Sequence, residues 1–594
     1  MTYRELKSEG EVLEVLYDFE RGQEYAFIDT ETTGLNRHTD RILAITLTAS
    51  PTSEAYFIDG ANAPLFQRLR ECTLVLHNFK FDFHMFANSG VDLRECGPVR
   101  DTLLLDHLLD ENSPHGLDDI IQRRYQDDYK AKFWEKYDAY EKAPRADQIE
   151  YACKDVLYTA RIYDDITRDL TTSNVPESLI EHVHKLALVL YDTERTGIKV
   201  DLPYVSEKGG YLSKLIVDLK SKIRTKVDIE CQIVENSLYE KELDKRKTPK
   251  GKLGVKRPSF NFDSPLQLGE LLYTHLGLPV QFNKKRKRTV DDNALANLEL
   301  EHAVIPLFRE YRGHQTVFTS FIEGTLEKVR DGRIYPSFNV NGTVTGRISS
   351  SEPNLQQLPS SGGIRGIYVS DREKVFISAD YKQLEVVIAA HYSRDRNLLK
   401  IVHEGASQHD ITAAGLGIDR QLAKKINFAL QYGAGPTKVK SILGCSDKDA
   451  EQAFNRYWET YSGLREFVRG CHLKVERGEP LVNPFGRQRR FPKTFSDHWE
   501  KERAKRQAPN ALIQGTGSDC TSYSLYTIDE QLRDLGIGKA LFSVHDEIIV
   551  QVSTFSVDAA KEIIQTVMVG IGQKIGLTIP LTVDISDSQE RWEG

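Results

Sequence analysis

The amino-acid sequence predicts a multidomain protein that combines α/β and α+β segments. Its 594 residues are too many for one ordinary domain and suggest about three to five domains. The segment up to about Leu170 begins with short apolar strands and continues with helical patterns, which is typical of an α/β layer. The last third mixes strands with long helices and indicates a further α+β arrangement.

The predicted elements follow in chain order. Three strands are expected near the N-terminus, the first two of them paired: Tyr25–Asp29, Arg41–Thr48 and Ala55–Ile58. Val175-Pro176 marks a boundary before a helical stretch that runs from Glu181 through Ile229. Further on, Ser264 suits the N-cap of a helix and Pro265 its first turn. Three more strands are expected in the last third: Lys374–Ala379, Ala540–Val544 and Ile548–Val552.

Composition excludes several classes of protein. Hydrophobic residues make up 40% and charged residues 28% of the chain, which is typical of globular enzymes and excludes disordered, collagen-like and coiled-coil proteins. The longest apolar runs, such as Leu186–Leu190 and Val386–Ala390, are far shorter than the roughly 20 residues that span a membrane. Met1–Arg21 is polar and acidic, so no secretion signal is expected. The seven cysteines form no C-x-x-C pair, which predicts a reducing cytoplasm rather than disulfides or a zinc ribbon.

Positive charge is concentrated locally although the net charge is −8. Lys241–Pro258 carries eight basic residues against two acidic ones, and Lys284–Arg288 is five basic residues in a row. Such runs are either solvated loops or sites that hold a polyanion. We expect Lys245–Pro258 to form an exposed loop, because it contains Gly and Pro among its charges.

Acidic residues near the N-terminus form a candidate metal site. Asp29 and Glu31 are two apart in a strand, so their carboxylates project to one face. Like charges held that close repel each other and favour a divalent cation between them. Two further acids complete an ordered set of motifs: Asp82 follows Asn78 in an N-x-x-x-D pattern, and Asp155 follows Tyr151 in a Y-x-x-x-D pattern. Tyr151 and Asp155, four residues apart, share a helical face. A single D-x-E motif is more often a pair of surface acids, so the prediction of a metal site depends on all three motifs occurring in this order.

This ordered set resembles the 3′–5′ exonuclease domains of the DEDD type, in the subgroup with a tyrosine. The resemblance implies an RNase H-like fold in which Asp29, Glu31, Asp82 and Asp155 hold two divalent metal ions. Mg²⁺ is expected, with Mn²⁺ or Zn²⁺ as alternatives at this site. It also implies that Tyr151 orients the attacking water, and that two further residues contact the DNA: Leu35 and Asn78.

Two acidic strand ends lie in the last third. Asp380 directly follows the predicted strand Lys374–Ala379, and a carboxylate at the end of a buried strand is costly unless its charge is offset. His545-Asp546-Glu547 lies between two apolar strands and predicts a tight β-hairpin with two carboxylates at its tip. An ordinary polar turn is the alternative for this second motif.

A basic and aromatic helix lies between them. Four residues recur every fourth position on one slowly turning stripe: Arg420, Lys424, Phe428 and Tyr432. Two cations followed by two aromatic faces suit a molecule with a phosphate tail and a flat base. A solvated cationic face beside a core aromatic is the alternative, but it gives no reason for the aromatic residues to continue the line of the cations.

Together these motifs resemble the family A DNA polymerases, over nearly the whole chain. The matching stretches are Asp380 to Glu385 (motif A), Arg420 to Gly433 (motif B), His545 to Glu547 (motif C), Thr345 to Ser350, Pro353 to Gln356, Arg506 to Thr516 and Asn261 to Pro265. The resemblance implies a right-hand polymerase after the exonuclease domain. The expected ranges are 1–175 for the exonuclease, 176–335 for the thumb and connecting helices, 336–395 and 506–594 for the palm, and 396–505 for the fingers.

The resemblance also implies roles for individual residues. Asp380 and Asp546 would bind two catalytic Mg²⁺ ions, with Glu547 close by. The residues expected to contact the incoming nucleotide are Arg420, Lys424, His409, Phe428, Tyr432, Gln383 and Glu385, the last excluding ribonucleotides at the sugar 2′ position. The residues expected to contact DNA are Arg347, Gln514 and His545 at the minor-groove edge of the primer terminus, together with Asn354, Gln356, Arg506 and Asn510.

Departures from the family pattern qualify these expectations. The chain begins almost directly with the exonuclease segment, so a compact, phage-type enzyme without a 5′ nuclease is expected, acting in the bacterial host cytoplasm. His409-Asp410 reverses the usual order of the triphosphate-side motif. Phe428 stands where some members have Tyr, which predicts discrimination against dideoxynucleotides. The basic insertion Lys241–Pro258 would bind the phosphates of duplex DNA, or it would recruit a processivity factor or a helicase.

The sequence therefore predicts a monomeric, proofreading, template-directed DNA polymerase that binds primer-template DNA and deoxynucleoside triphosphates and no membrane. Three alternatives remain: a single-subunit RNA polymerase, a non-catalytic DNA-binding protein descended from a polymerase, and a nuclease with a degenerate polymerase half. Glu385 and the exonuclease segment argue against the first alternative. The complete set of expected carboxylates argues against the other two.

Overall fold

A computed structural model of the chain describes residues 2–245, 255–283, 285–431 and 433–593, without the side chains of Phe428 and Gln431. The chain folds into two compact units. The first unit comprises residues 1–197, 336–356 and 370–590, and the second comprises 198–335, 357–369 and 591–594. The five-part division into exonuclease, thumb, palm and fingers stays a prediction.

The first unit begins with a six-stranded sheet in the order β1-β4-β3-β2-β5-β6. Its strands are β1 Tyr3–Leu6, β2 Tyr25–Thr32, β3 Ile42–Thr48, β4 Ala55–Asp59, β5 Thr73–Leu76 and β6 Val99–Asp101. Its helices are α1 Glu9–Gly22, α2 Phe79–Asn88, α3 Thr102–Leu109, α4 Leu117–Tyr125, α5 Tyr129–Lys136, α6 Arg145–Thr172 and α7 Glu177–Thr196, with 3₁₀ turns at Gly60–Arg68, Leu93–Glu95 and Tyr140–Lys142. The pairing of β2 with β3 is antiparallel, which confirms the predicted strand pair.

A second sheet of the first unit has the order β15-β16-β12-β17 and is antiparallel throughout. Its strands are β12 Lys374–Tyr381, β15 Gly538–Val544, β16 Glu547–Ser553 and β17 Val583–Ile585, and short ladders join β9 Ser337–Asn339 to β10 Ser349–Ser351 and β13 Leu481–Val482 to β14 Gln488–Arg489. The buried faces of these strands carry Val, Ile, Phe and Ala, which suits a half-buried pleated surface. This sheet confirms the three strands predicted for the last third.

Helices cover the rest of the first unit. In chain order they are α13 Leu384–Ser393, α14 Arg396–Glu404, α15 Gln408–Leu416, α16 Arg420–Gln431, α17 Pro436–Leu443, α18 Asp447–Thr460, α19 Ser462–Arg477, α20 His498–Asp534 and α21 Val557–Lys574. Side-chain caps begin several of them, because a Ser or Asp oxygen satisfies backbone N–H groups left without a helical partner. Asp395, Ser407 and Ser446 act in this way for α14, α15 and α18.

The second unit contains a three-stranded antiparallel sheet, a long helix and several short helices. The strands are β7 Ile198–Val200, β8 Arg333–Ile334 and β11 Tyr368–Val369. The helices are α8 Leu202–Lys245, α9 Pro265–Gly269, α10 Asp292–Asn297, α11 Ile305–Val317 and α12 Gly324–Lys328, with π or 3₁₀ turns at Glu270–His275, Phe318–Glu323 and Arg365–Ile367. Apolar residues of α8 and α11 contribute to one core, among them Ile223, Val234 and Phe308.

Two sequence expectations for this region need correction and one holds. The helical pattern predicted from Glu181 through Ile229 is interrupted by β7, because Gly197 ends α7 with φ of 66°, a conformation that favours glycine. Helix then continues to Lys245, with a kink at Val227, so the expected loop Lys245–Pro258 begins with a helical residue. The remainder of that basic run lies largely outside the described residues, as does Lys284. Ser264 caps α9 as predicted, with Pro265 in the first turn.

Two further expectations concern membranes and cysteines. Within the described residues, none of the helices combines the length and the apolar character that a membrane span requires. All seven cysteines are free thiols, and only Cys445 is not buried.

Candidate active sites

Three carboxylates of the N-terminal segment meet at one place. Asp29 and Glu31 lie near the end of β2, and Asp155 lies on α6. Each offers an oxygen within 4.8 Å of the others. Alternation along the strand explains why the two β2 side chains share a face. The predicted D-x-E geometry is therefore confirmed, and Asp155 joins it from a helix 124 residues further along the chain.

Burial and mutual repulsion make this group a site for cations. Burial, followed by the charge of Asp155, raises the pKa of Glu31 to about 8. Burial, together with the charges of Asp155, Asp82 and Glu31, raises the pKa of Asp29 well above its ordinary value. A cluster of hard oxygen donors that cannot all carry their charges alone suits a divalent cation. The donor set therefore fits the Mg²⁺ that the sequence predicted, and Mn²⁺ equally.

Asp82 lies beside this group rather than within it. It is buried on α2, and its carboxylate accepts a hydrogen bond of 2.6 Å from the Thr30 hydroxyl. Burial raises its pKa to about 7, and its charge in turn raises the pKa of Asp29. The structure thus brings the four predicted carboxylates into one neighbourhood, while three of them form the tight group.

Two residues at this site were missed by the sequence analysis. Lys130 lies with its Nζ 2.6 Å from Asp155, and the neighbouring Tyr129 hydroxyl donates to the other oxygen of the same carboxylate. Both belong to α5, and no local motif in the sequence connects this helix to Asp155. The charge of Asp155 raises the pKa of Lys130 well above its ordinary value despite the opposing effect of burial. Lys130 therefore offsets part of the negative charge of the group.

The remaining predicted residues of this segment surround the carboxylates. Tyr151 is one turn before Asp155 on α6, and its hydroxyl accepts a hydrogen bond of 3.2 Å from Trp134. Asn78 is exposed and precedes α2 with φ of 64°. Leu35 is 87% exposed.

A second pair of acidic positions meets in the antiparallel sheet β15-β16-β12-β17. Asp380 of β12 is paired in register with Glu547 of β16. His545 and Asp546 form a two-residue turn between β15 and β16, and His545 has φ of 57°. Adjacent Cα spacings place Asp546 within about 9 Å of Asp380, measured between Cα atoms. The structure confirms the predicted hairpin and places Asp546 next to Glu547, the ladder partner of Asp380; the metal-binding role of the two aspartates stays a prediction.

Gln356 holds this turn in place. Its side-chain amide donates to the backbone carbonyl of Ser543, and its oxygen accepts from the backbone N–H of His545 at 3.4 Å. Asn354 in turn accepts from the backbone N–H of Gln356 at 3.1 Å. These two residues were predicted to contact DNA; in the structure they support the segment that carries Asp546.

Arg347 and Glu385 form an ion pair of 2.8 Å. The sequence predicted that Arg347 contacts the DNA minor groove and that Glu385 crowds the nucleotide sugar, but it did not predict this contact. Glu385 lies in the first turn of α13, four residues beyond the end of β12, and exposed Gln383 precedes that helix with φ of 53°. Both partners are half-buried, so the pair fixes two candidate contact residues relative to each other.

The predicted phosphate-binding residues come together at the start of α16. Arg420 and Lys424 are exposed on this helix. Burial, followed by the positive charges of Arg420 and Lys424, lowers the pKa of His409 on α15. The His409 Nδ1 lies 3.0 Å from the side-chain amide of Asn427 on α16. Arg420 also pairs with Asp410 at 3.0 Å, a contact the sequence did not suggest. The side chain of Phe428 and the whole of Tyr432 lie outside the described residues.

Three further predicted DNA contacts share one face of α20. Arg506, Asn510 and Gln514 are spaced by four residues along this helix. Arg506 is exposed. It packs so closely against Gly433 that a Cβ added to this glycine would lie only 2.9 Å from the Cβ of Arg506. Gly433 has φ of 75°, so the turn after α16 and its close approach to α20 both require glycine.

Two protein-family models match the chain. The model described as "DNA polymerase family A" matches residues 235–593, which is more than half of the chain. The model described as "3'-5' exonuclease" matches residues 3–171.

Curated relatives are proteins named DNA polymerase I. The one from Borreliella burgdorferi is 25% identical over 95% of this chain and 62% of its own length. The one from Treponema pallidum is 29% identical over 88% of this chain and 51% of its own length, and the one from Caldicellulosiruptor bescii is 28% identical over 74% and 50%. The chain thus spans about half to three fifths of the length of these relatives.

A solved structure shares the fold. It is titled "POL domain of Pol1 from M. smegmatis complex with DNA primer-template and dNTP", and it superimposes with a TM-score of 0.82 and 22% sequence identity over 99% of both chains. On the match over residues 235–593, supported by an N-terminal segment of the 3′–5′ exonuclease family, this chain belongs to DNA polymerase family A.

Proposed function

We propose that the chain is a template-directed DNA polymerase that extends a primer 3′ end with deoxynucleoside triphosphates and removes mispaired ends with a 3′–5′ exonuclease. One observation carries this proposal. Two separate acidic sites lie in the two segments that match the exonuclease and polymerase families. The first is Asp29 with Glu31 and Asp155, and in the second Asp380 is paired in the sheet with Glu547, the residue after Asp546.

In the polymerase reaction, the primer 3′-hydroxyl attacks the α-phosphate in line and pyrophosphate leaves. Asp380 and Asp546 would hold two divalent ions, and Glu547 is paired with Asp380 in the sheet. Bound there, such ions supply Lewis-acid stabilisation of the attacking and leaving oxygens. Arg420 and Lys424 bind the triphosphate with the help of His409. With no covalent intermediate, catalysis consists of positioning and charge stabilisation.

Nucleotide selection depends on the residues around the nascent pair. Glu385 limits the space at the sugar 2′ position, and its ion pair with Arg347 holds it there. Arg347, together with His545 and Gln514, contacts the minor-groove edge, where the pattern of acceptors is similar for all correct pairs. Phe428 and Tyr432 complete the pocket for the base. The alignment of Arg506, Asn510 and Gln514 on α20 supports a contact with DNA.

In the exonuclease reaction, a water molecule attacks the terminal phosphodiester and releases a nucleoside monophosphate. Asp29, Glu31 and Asp155, with Asp82 beside them, would hold divalent ions, and Lys130 keeps Asp155 in position through its 2.6 Å contact. Tyr151 orients the water. Exposed Leu35 packs against the terminal base, and Asn78 contacts the DNA backbone.

Other features of the proposal concern partners and location. Primer-template DNA and deoxynucleoside triphosphates are the proposed ligands, Mg²⁺ the proposed metal in both sites, and a monomer in the bacterial cytoplasm the proposed working form. The basic run Lys241–Pro258 would add duplex affinity or recruit a processivity factor. Deleting 245–256 tests both roles: unchanged DNA affinity and unchanged processivity would exclude them.

The two sites can be separated by substitution. Asp29→Ala combined with Glu31→Ala should abolish degradation of a 3′ end and leave extension nearly unchanged, whereas Asp380→Ala should do the reverse. A matched control is Asp584→Ala, because exposed Asp584 is also a ladder partner of Asp380 but has no proposed role. The assay is a primed template on a gel, with Mg²⁺ and either deoxynucleotides or ribonucleotides. Extension that survives Asp380→Ala, or equal use of both nucleotide types, would refute the proposal.

A further inference from the structure

Trp134 on α5 contacts the residue proposed to orient the attacking water. Its indole Nε1 donates a hydrogen bond of 3.2 Å to the hydroxyl oxygen of Tyr151. An indole N–H is a donor only, so the direction of this hydrogen bond is fixed. Trp134 belongs to none of the acidic motifs of the sequence, and its helix is separate from α6, which carries Tyr151.

Aromatic rings hold the ring of Tyr151 from several sides. Phe133 lies against it with centroids 4.1 Å apart and an interplanar angle of 31°, and Trp134 packs edge-on at 5.9 Å. The rings of Tyr129 and Tyr140 each lie 6.1 Å away. Among the described residues of this group, Trp134 alone forms a hydrogen bond with the Tyr151 hydroxyl. The other rings therefore hold the phenol in place, whereas Trp134 also contacts its hydroxyl.

Burial of apolar surface is the smaller part of what Trp134 contributes here. Phe133 is 8% exposed and Tyr151 is 6% exposed, whereas Trp134 is 47% exposed. Because stabilisation by burial scales with the apolar area removed from water, a half-exposed indole gains less from it than its size suggests. Its N–H group, by contrast, meets the hydroxyl of a buried residue. This polar contact is what a phenylalanine at position 134 would lose.

The hydrogen bond from Trp134 determines what the Tyr151 hydroxyl can still do. A phenol has one proton to donate and an oxygen that accepts. Orientations that turn this proton toward the indole N–H are disfavoured, because two hydrogen atoms would then face each other. The proton therefore points away from Trp134, and a hydroxyl that accepts one hydrogen bond donates a stronger one. Tyr151 is thereby prepared to donate to an acceptor on its other side.

We propose that Trp134 is a positioning residue of the exonuclease reaction, which directs the hydroxyl proton of Tyr151 to the oxygen of the attacking water. This inference rests on the proposed role of Tyr151 as the residue that orients the water. It makes Tyr151 a hydrogen-bond donor that keeps its proton, rather than a base that removes a proton from the water. Trp134 itself touches neither the water nor the scissile phosphate, so its N–H should affect the rate of cleavage and not the affinity for DNA.

The first test measures degradation of a single-stranded 3′ end by the full chain in Mg²⁺. Trp134→Phe retains an aromatic ring and removes the N–H group, so kcat for degradation should fall about tenfold through loss of one hydrogen bond, with KM and primer extension unchanged. Trp499→Phe is the matched control, because Trp499 is 75% exposed and has no proposed role; neither activity should change. A rise in KM at constant kcat would show that Trp134 contacts DNA directly and would overturn the proposal.

A double-mutant cycle tests whether Trp134 acts through Tyr151. Tyr151→Phe removes the hydroxyl and should itself slow degradation. Adding Trp134→Phe should then cause no further loss, because the indole N–H has already lost its acceptor. An equal loss from Trp134→Phe in both backgrounds would show a merely structural role and would overturn the proposal.

The same assay separates failure of this inference from failure of the proposed function. Unchanged degradation in Trp134→Phe, with degradation abolished in Asp29→Ala combined with Glu31→Ala, would overturn the inference alone. Unchanged degradation in Tyr151→Phe would overturn both the inference and the proposed role of Tyr151. Degradation that survives Asp29→Ala with Glu31→Ala would refute the exonuclease site and this inference with it.

The contact can also be observed without any activity. The chain has four tryptophans, so ¹⁵N labelling of the indoles gives four N–H resonances in an NMR spectrum, and Trp134→Phe identifies the one from Trp134. That resonance should shift in Tyr151→Phe, while the resonance of Trp499 stays in place. An unchanged Trp134 resonance would show that no hydrogen bond joins the two residues and would overturn the proposal. Thermal unfolding verifies that each variant is folded.

Discussion

Glu194→Gln should loosen the packing of α2, the helix that carries Asp82. Glu194 is 1% exposed near the end of α7. One of its oxygens accepts from the Lys80 ammonium and from the backbone N–H of Phe338, both at 2.6 Å, and the other lies 3.2 Å from His84. The carboxylate thus joins α2 of the exonuclease segment to β9. Glutamine keeps the shape but removes the charge.

The size of the effect follows from the pKa of Glu194. Burial alone would raise this pKa, but the charge of Lys80 and the contact with His84 outweigh burial and lower it from 4.5 to about 2. Because each pKa unit corresponds to about 1.4 kcal/mol, the charged form contributes about 3 kcal/mol to stability at neutral pH. Since the pKa is lowered in the folded state, this contribution is present above about pH 4.5 and is lost as the pH falls towards 2.

Hydrogen–deuterium exchange of the full chain at pH 7 measures this effect locally. Backbone amides of α2 and β9 should exchange on the order of 100-fold faster in Glu194→Gln, because the free energy of local opening falls by about 3 kcal/mol. The control is Glu177→Gln on the same helix, where an exposed pair with Arg100 at 2.8 Å should contribute less than about 1 kcal/mol. Equal exchange in the two variants would show that the Glu194 contacts do not hold these elements together.

Three further predictions concern the two sites. Lys130→Met removes the cation that lowers the pKa values of Asp155 and Glu31, so the acidic limb of the pH profile for 3′-end degradation should move to higher pH while extension is unchanged. Glu385→Ala should raise ribonucleotide incorporation by about tenfold or more, measured as the ratio of kcat/KM for the two nucleotide types; an unchanged ratio would exclude its role at the sugar. Gln356→Leu should lower kcat for extension about tenfold with little change in KM, because the turn that carries Asp546 loses its support; a change in KM alone would contradict this.

Sequence reasoning succeeded where a function depends on local periodicity. Asp29 and Glu31 share a face because strands alternate, and Tyr151 lies near Asp155 because helices repeat every three to four residues. The hairpin at His545-Asp546 could be predicted because two apolar strands flank a short polar turn. In each case the residues that meet are close in sequence.

It failed where the contact joins distant segments or very short elements. Lys130 contacts Asp155 from another helix, and Arg347 contacts Glu385, which lies 38 residues further along the chain. No local sequence pattern predicts either pair. Strands of two or three residues, such as β7 and β8, are too short to show an alternation. Family resemblance, rather than periodicity, predicted that Asp380 and Asp546 share one site, and the structure pairs Asp380 with Glu547, the residue after Asp546.

The register between β12 and β16 restricts how the gene can change. Seven consecutive residue pairs, from Lys374 with Ser553 to Asp380 with Glu547, join the two strands. Deleting or inserting one codon before Asp380 would rotate its carboxylate to the opposite side of the sheet, because side chains alternate along a strand. Substitutions along β12 can therefore be tolerated during evolution, whereas an insertion or deletion in this strand would separate Asp380 from its ladder partner Glu547.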